Sequence, residues 1–233
     1  MYKKLSVLIP VYNERDTIRQ CIDAVLKADT RNLELEVIIS DNNSSDGTKE
    51  ILSKIQDKQI KILYRDSNNG KGANIKNALA NATGDLILFQ DGDLEYSPKD
   101  FPDLIEPFFL YRADVVYGSR LTRAKATSIV GFPNYIANLL VTFLTNVLYN
   151  KVFTDIATGY KVFKSDVIKN LKITSDGFEI EPEITAKISK KDIRIYEVGI
   201  KYYGRKYSEG KKITWRDGFA AIYCIIYYNL FSK

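Results

Sequence analysis

Two carboxylates one residue apart, Asp91 and Asp93, flank Gly92 directly after the apolar run Leu86-Ile87-Leu88-Phe89. A glycine between two acids permits a tight turn facing both toward one ligand, and Glu95 extends the same side by alternation. Oxygen ligands of this kind suit a hard divalent cation, Mg²⁺ or Mn²⁺, which can stabilise a departing diphosphate. Asp-Gly is also a common solvated turn, but the apolar run before it should bury its base. The sequence has no histidine. That excludes His-based triads and His-ligated zinc, and moves acid–base or metal chemistry onto carboxylates.

Three further clusters could meet an anionic ligand. Asp41 and Asp46 bound a polar turn that either presents a carboxylate to a nucleoside or caps a helix. Asn69-Gly70-Lys71-Gly72 is glycine-rich like a phosphate loop, yet no serine or threonine follows the lysine. A P-loop is therefore excluded, and Lys71 is left as the phosphate contact. Arg205, Lys206, Lys211 and Lys212 lie among Tyr202, Tyr203 and Tyr207, with Gly204 and Gly210 as hinges. They form a basic loop that is either solvated or a mobile phosphate clamp. Interleaved aromatics can also mark nucleic-acid binding. With 34 basic against 29 acidic residues, the chain is too nearly balanced for that reading, and no nucleic acid is expected.

The elements that must position these residues alternate strand and helix. Strands are expected at Leu5 to Val11, Val37 to Ile39, Ile60 to Tyr64, Leu86 to Phe89 and Val115 to Tyr117. Between them, Asn13 is expected to cap a helix through Ile18, Cys21, Ile22 and Val25. Further helices carry Ile51, Leu52 and Ile55, then Ala78 and Leu79, and one opens at Ser97-Pro98. This order predicts an α/β fold with a Rossmann-like, mostly parallel sheet and helices on both faces. Ligands of such sheets sit beyond the strands' carboxyl ends. Tyr12-Asn13-Glu14, Asp41 to Asp46 and Asp91 to Glu95 should therefore share one rim.

Residues 1–233 are read as one domain, with residues 1–120 forming the ligand-binding half and 121–233 a half rich in apolar helices. Ile129 to Phe153 is apolar in helical register, but Asn134, Asn138, Thr142, Thr145 and Asn146 make it a poor membrane span. Burial or an interfacial position fits it better, as it does Phe219 to Phe231. Two distant cysteines and no secretory leader point to a reducing, cytoplasmic setting. The formal charge of +5 suits phosphate-bearing ligands or an anionic membrane face.

Taken in order, these segments resemble the family-2 glycosyltransferases of GT-A fold, most closely the branch of dolichyl-phosphate mannose synthase and bacterial polyprenyl-phosphate glycosyltransferases. The matching pieces include Ile9 to Glu14, Ser45-Asp46-Gly47, Asn69 to Gly72, Gln90 to Glu95, Gly118-Ser119-Arg120, Thr158 to Lys161, Phe178 to Glu181, and Gly204-Arg205 through Gly210-Lys211-Lys212. The resemblance implies that Pro10, Tyr12, Glu14 and Asp41 hold the nucleoside of a UDP- or GDP-sugar. It implies that Asp91, Gly92 and Asp93 serve metal and diphosphate. Glu95 is expected as a third ligand, where the mannose synthases usually carry glutamine. Arg120, Lys161, Arg205 and Lys211 are implied to face donor diphosphate or acceptor phosphate, with Asp93, Arg120 and Arg205 closest to the chemistry. Several relatives append transmembrane helices after this domain, whereas this sequence ends at Lys233.

The expected reaction is inverting transfer to a polyprenyl phosphate by a protein peripheral on the cytoplasmic membrane face, with a homodimer left open. A phosphate monoester, with a second pKa of about 6, needs no enzymic base. Transfer to a sugar hydroxyl of a growing glycan needs one, and Asp155, Glu179 and Glu181 are the candidates. A non-catalytic nucleotide-sugar-binding module is the third reading.

Overall fold

Short apolar and β-branched runs set the centre of the molecule, as their continuity requires of strands buried on both faces. The computed structural model describes residues 2–122, 131–205 and 215–231. Strands β1 (Lys4–Val11), β2 (Glu34–Asp41), β3 (Ile60–Tyr64), β4 (Leu86–Phe89), β5 (Val115–Ser119), β6 (Lys161–Lys164) and β7 (Ile195–Gly199) form one sheet in the order β3-β2-β1-β4-β6-β5-β7. All neighbouring pairs are parallel except those of β6, which runs against β4 and β5.

Helices α1 (Ile18–Leu26), α2 (Thr48–Leu52), α3 (Lys71–Asn81), α4 (Phe101–Leu110), α5 (Phe132–Tyr149), α6 (Ser165–Lys169), α7 (Ile180–Ser189) and α8 (Trp215–Phe231) cover it. Strand alternation divides the core accordingly. Leu5, Val7 and Ile9 of β1 pack with Ile18 of α1 and Leu104 of α4 on one face. Leu8 packs with Ile75 of α3 and Ile184 of α7 on the other. The α/β architecture with a mostly parallel sheet is as expected.

The differences from expectation are local. Asn13 does not cap α1: Thr17 precedes that helix, and Asn13 adopts a positive φ of 51°. Its side-chain oxygen instead accepts from Ser45 N at 2.9 Å, tying the ends of β1 and β2 together. Helix α2 stops at Leu52, short of Ile55. Strands β6 and β7 had no clear periodic signature; β6 is four residues with lysine at each end. Because β6 is antiparallel, Phe89 pairs with Lys161, so the start of β6 lies at the site rim.

The polar interruptions of the second half have structural partners. Asn146 of α5 donates to Phe153 O and accepts from Phe153 N, and Thr142 accepts from Ile156 N. Helices α5 and α8 pack together, with Tyr149 Oη donating to Ile225 O at 2.8 Å. Their outer faces leave Phe132, Phe143, Phe219 and Tyr223 about two-thirds or more exposed, at 73%, 67%, 67% and 69%. Among the described residues, no helix is long and apolar enough to cross a membrane.

The start of α3 is held by backbone contacts that leave no room for a side chain. Gly70 has φ +97° and ψ 171°, and a Cβ there would lie 2.4 Å from Asp176 O. Gly72 N donates to Gly177 O and Ala73 N to Asp176 O. These amides are therefore engaged within the fold, as the exclusion of a P-loop requires. Gly70→Ala should lower unfolding stability by about 2–3 kcal/mol, because it combines a conformation open almost only to glycine with a backbone clash. Urea denaturation monitored by circular dichroism checks this; unchanged stability would show that the α3 start is not held as described.

Candidate active site

Carboxyl ends of β1, β2 and β4, the first turn of α3 and the segment after β7 converge on a cleft of about 1090 Å³. Pro10, Tyr12 and Glu14 line it from β1, Lys71 from α3, and Asp91, Gly92, Asp93 and Glu95 from the turn after β4. Arg120, following β5, and Arg205, following β7, complete its charged part. Most of the sequence-predicted rim is thus assembled, whereas Asp41, Asp46 and Lys161 do not line the cleft.

Asp41 lies behind the cleft and is fully buried. Its Oδ2 accepts from Ser44 N at 3.1 Å, while Oδ1 has no hydrogen-bond partner. A buried carboxylate oxygen without a donor is costly. Asp46 accepts from Arg15 N, Thr48 N and Thr48 Oγ1, so it closes the turn into α2. Lys161 corrects an expectation: it is fully buried and does not line the cleft. Its ammonium donates to Thr158 O and pairs with Glu181, and burial lowers its pKa despite that carboxylate. Lys211, with Lys206, Gly210 and Lys212, lies outside the described residues, so the proposed span between hinges is untouched by these observations.

The acidic turn is neutralised from two sides. Lys71 Nζ lies 2.8 Å from Asp91 and 3.4 Å from Glu181. Arg205 lies 2.8 Å from Asp93, 3.2 Å from Glu14 and 3.6 Å from Glu95. Burial disfavours the Arg205 charge, yet those carboxylates outweigh it and raise its pKa. Burial, then the charges of Asp91 and Glu95, push the Asp93 carboxyl up to about 7 even with Arg205 beside it. Four carboxylates, Glu14, Asp91, Asp93 and Glu95, thus face two cations, Lys71 and Arg205.

That surplus, with oxygen as the sole ligand type, fits a divalent cation shared with a diphosphate; Mg²⁺ is commonly held by one or two carboxylates plus substrate phosphates. A three-carboxylate cage does not form: among the described residues no group of three or more acidic or thiol side chains could hold a metal. Glu95 lines the same cleft, with both its oxygens engaged. Its Oε2 accepts from Tyr202 Oη at 2.9 Å and its Oε1 from Arg205 N at 2.8 Å. Asp91 and Asp93 remain as the pair that would meet a cation.

Arg120 is locked in place. Its Nε and Nη2 donate to Asp155 at 2.7 and 2.8 Å, its backbone N at 3.0 Å, and the guanidinium lies over Tyr202. Asn138 of α5 donates to the same carboxylate at 2.8 Å. Burial alone would raise the Asp155 pKa, but Arg120 and these donors hold it below the ordinary value. Asp155 is thus unsuited to act as a base. Glu181 is paired with Lys161 and Lys71, and Glu179 accepts from Gly177 N and does not line the cleft.

Sequence reasoning missed Asn74 and Tyr96. Asn74, a polar residue on the buried face of α3, donates to Val11 O and Ser40 O and so binds the ends of β1 and β2. Its place in that helix's buried stripe was the available signal. Tyr96 accepts from Gly159 N at 2.8 Å and stacks on Tyr160. No spacing in the sequence links those partners.

Asp155→Asn should destabilise the protein by about 3 kcal/mol, since it leaves Arg120 as a buried charge without its full counter-ion. Urea denaturation measures this directly. A residue serving as a solvent-facing base would instead lose activity with stability unchanged.

The known proteins that this chain resembles agree with that geometry. The model described as Glycosyl transferase family 2 matches residues 6–172. Over 217 residues the chain is 30% identical to the low-salt glycan biosynthesis hexosyltransferase of Haloferax volcanii, covering 92% of this chain and 51% of that protein. Glycosyltransferase AglJ of the same organism is 28% identical over 202 residues, covering 86% of this chain and 63% of its own length. The chain thus spans about half the length of the first relative. The crystal structure of glucosyl-3-phosphoglycerate synthase from Mycobacterium tuberculosis with Mn²⁺, UDP and phosphoglyceric acid superposes with a TM-score of 0.71 at 19% identity, covering 98% of this chain and 78% of that one. That likeness is one of fold. By the family match across its first strands, the acidic turn and β6, the chain belongs to glycosyl transferase family 2.

Proposed function

We propose that the protein transfers a sugar from a UDP- or GDP-sugar to a polyprenyl phosphate, with inversion, while peripheral on the cytoplasmic face of a membrane. The observation that carries this reading is the two-part cleft. Its charged end holds Asp91, Asp93, Lys71, Arg120 and Arg205; its other end is lined by Tyr135, Leu140 and Val141 of α5 and by Phe219, Ala221 and Ile222 of α8. A ligand spanning both ends is anionic at one end and apolar at the other. The apolar end continues into the exposed faces of α5 and α8, where aromatic side chains suit a bilayer interface. In support of the donor class, the M. tuberculosis protein of the same fold was solved with Mn²⁺ and UDP-glucose.

In this mechanism a phosphate oxygen forms a bond to the anomeric carbon as the bond from that carbon to the donor diphosphate breaks. The electron pair leaves with the diphosphate, and no proton is removed from the nucleophile. The three carboxylates considered as bases are engaged or outside the cleft, which favours an acceptor needing none. Pro10 and Tyr12 flank the nucleoside, and Asp41, behind the cleft, holds the turn after β2 through Ser44 N. Lys71 and Arg205 lie where negative charge develops, and Arg120, held rigid by Asp155, orients an acceptor or donor phosphate. A divalent cation at Asp91 and Asp93 supplies positive charge to the departing diphosphate when bound.

Radiolabelled UDP- and GDP-sugars incubated with short-chain polyprenyl phosphate, free polyprenol and simple sugars should label the phosphate alone. Asp93→Asn should lose at least 100-fold in that rate while still folding, in line with the loss of an electrostatic stabiliser. Label on a sugar hydroxyl alone would replace the lipid-phosphate reading with glycan extension.

A further inference from the structure

The guanidinium of Arg205 reaches Glu14, Asp93 and Glu95 at once, and the backbone N of the same residue is anchored on Glu95. Asp93 is one of the two carboxylates available to a cation. The position that a metal–diphosphate unit would enter is thus already taken by a cation belonging to the chain. We propose that Arg205 is an internal counter-ion of the acidic turn and that a divalent metal cannot bind Asp93 well until a diphosphate draws the guanidinium away. The inference rests on the nucleotide-sugar reading above and adds an order of events to it.

Three physical considerations carry it. First, Arg205 is only partly buried, with a side-chain exposure of 16%, and it lies six residues beyond the end of β7, next to Gly204, so its side chain can move without disturbing the sheet. Second, Glu14, Asp93 and Glu95 all lie within 3.6 Å of the one guanidinium, so its departure without another cation would leave them facing one another. Third, a diphosphate matches the guanidinium fork as well as a carboxylate does. Metal arriving at Asp93 and diphosphate accepting Arg205 are then two halves of one exchange. Each ligand strengthens the other's binding, as linkage requires.

The test is Mn²⁺ binding, followed by electron paramagnetic resonance of the free ion, in the full chain with and without UDP or GDP. Wild type should bind Mn²⁺ weakly alone and at least ten-fold more tightly with its cognate diphosphate. Arg205→Gln should bind Mn²⁺ alone at least ten-fold more tightly than wild type, and the diphosphate should add little further. Arg205→Lys, which keeps the charge but loses the fork, should fall between them, and it serves if the glutamine variant does not fold. Equal or weaker Mn²⁺ binding by Arg205→Gln, with diphosphate-dependent Mn²⁺ binding retained by wild type, would overturn the exchange and leave the donor reading standing. No Mn²⁺ binding by any form with either diphosphate would overturn both.

Discussion

Crowding of negative charge at the carboxyl ends of β1 and β4 is the constraint on which the site depends. Glu14, Asp91, Asp93 and Glu95 are close enough that burial and mutual repulsion push Asp93 up to about 7. Such a cluster persists in a folded protein only with cations placed against it. Lys71 is delivered by the first residue of α3, whose position is fixed by the fit of Gly70 and Gly72 against residues 175–177. Arg205 is delivered from beyond β7, at the far edge of the sheet. The cations thus come from widely separated parts of the chain, and the sheet order is what brings them to one place.

A second buried ion pair joins this charged rim to the apolar helices. Asp155 is held by Arg120 from the end of β5 and by Asn138 from α5, so α5 is referenced to the same rim as the acidic turn. Helix α8 packs on α5 and α7 and closes the apolar end of the cleft. The helices that line the cleft are therefore tied to its charged rim. That suits a reaction whose rate depends on holding a nucleophile in line with a leaving group rather than on removing a proton.

Much of the rim was legible in the sequence because each of its acidic or polar clusters follows a short, continuously apolar strand. Leu86 to Phe89 was read with the bounds it has, since nothing competes with burial for such a run, and the partly exposed Ile60 to Tyr64 also keeps its expected bounds. Lys161 was not readable in this way. It stands at the start of an antiparallel strand, and its ammonium turns inward to Glu181 and Thr158. Asn13 was misread because a polar residue before a helix resembles a cap, while its actual partner is Ser45, 32 residues away. Glu95 was placed on the metal by alternation along the chain, but Tyr202 and Arg205, more than a hundred residues distant, engage both its oxygens. In each case the deciding contact is long-range, and local spacing carries no record of it.

The central claim is that the charged end of the cleft binds a nucleoside diphosphate together with a divalent cation. Thermal unfolding of the protein with UDP or GDP, each with and without Mn²⁺, tests it most directly, since a ligand that binds only the folded state raises its stability. One nucleotide combined with Mn²⁺ should raise the melting temperature by more than the sum of the two shifts seen separately, and Asp93→Asn should remove that excess. Additive shifts, or none with either nucleotide, would contradict the account.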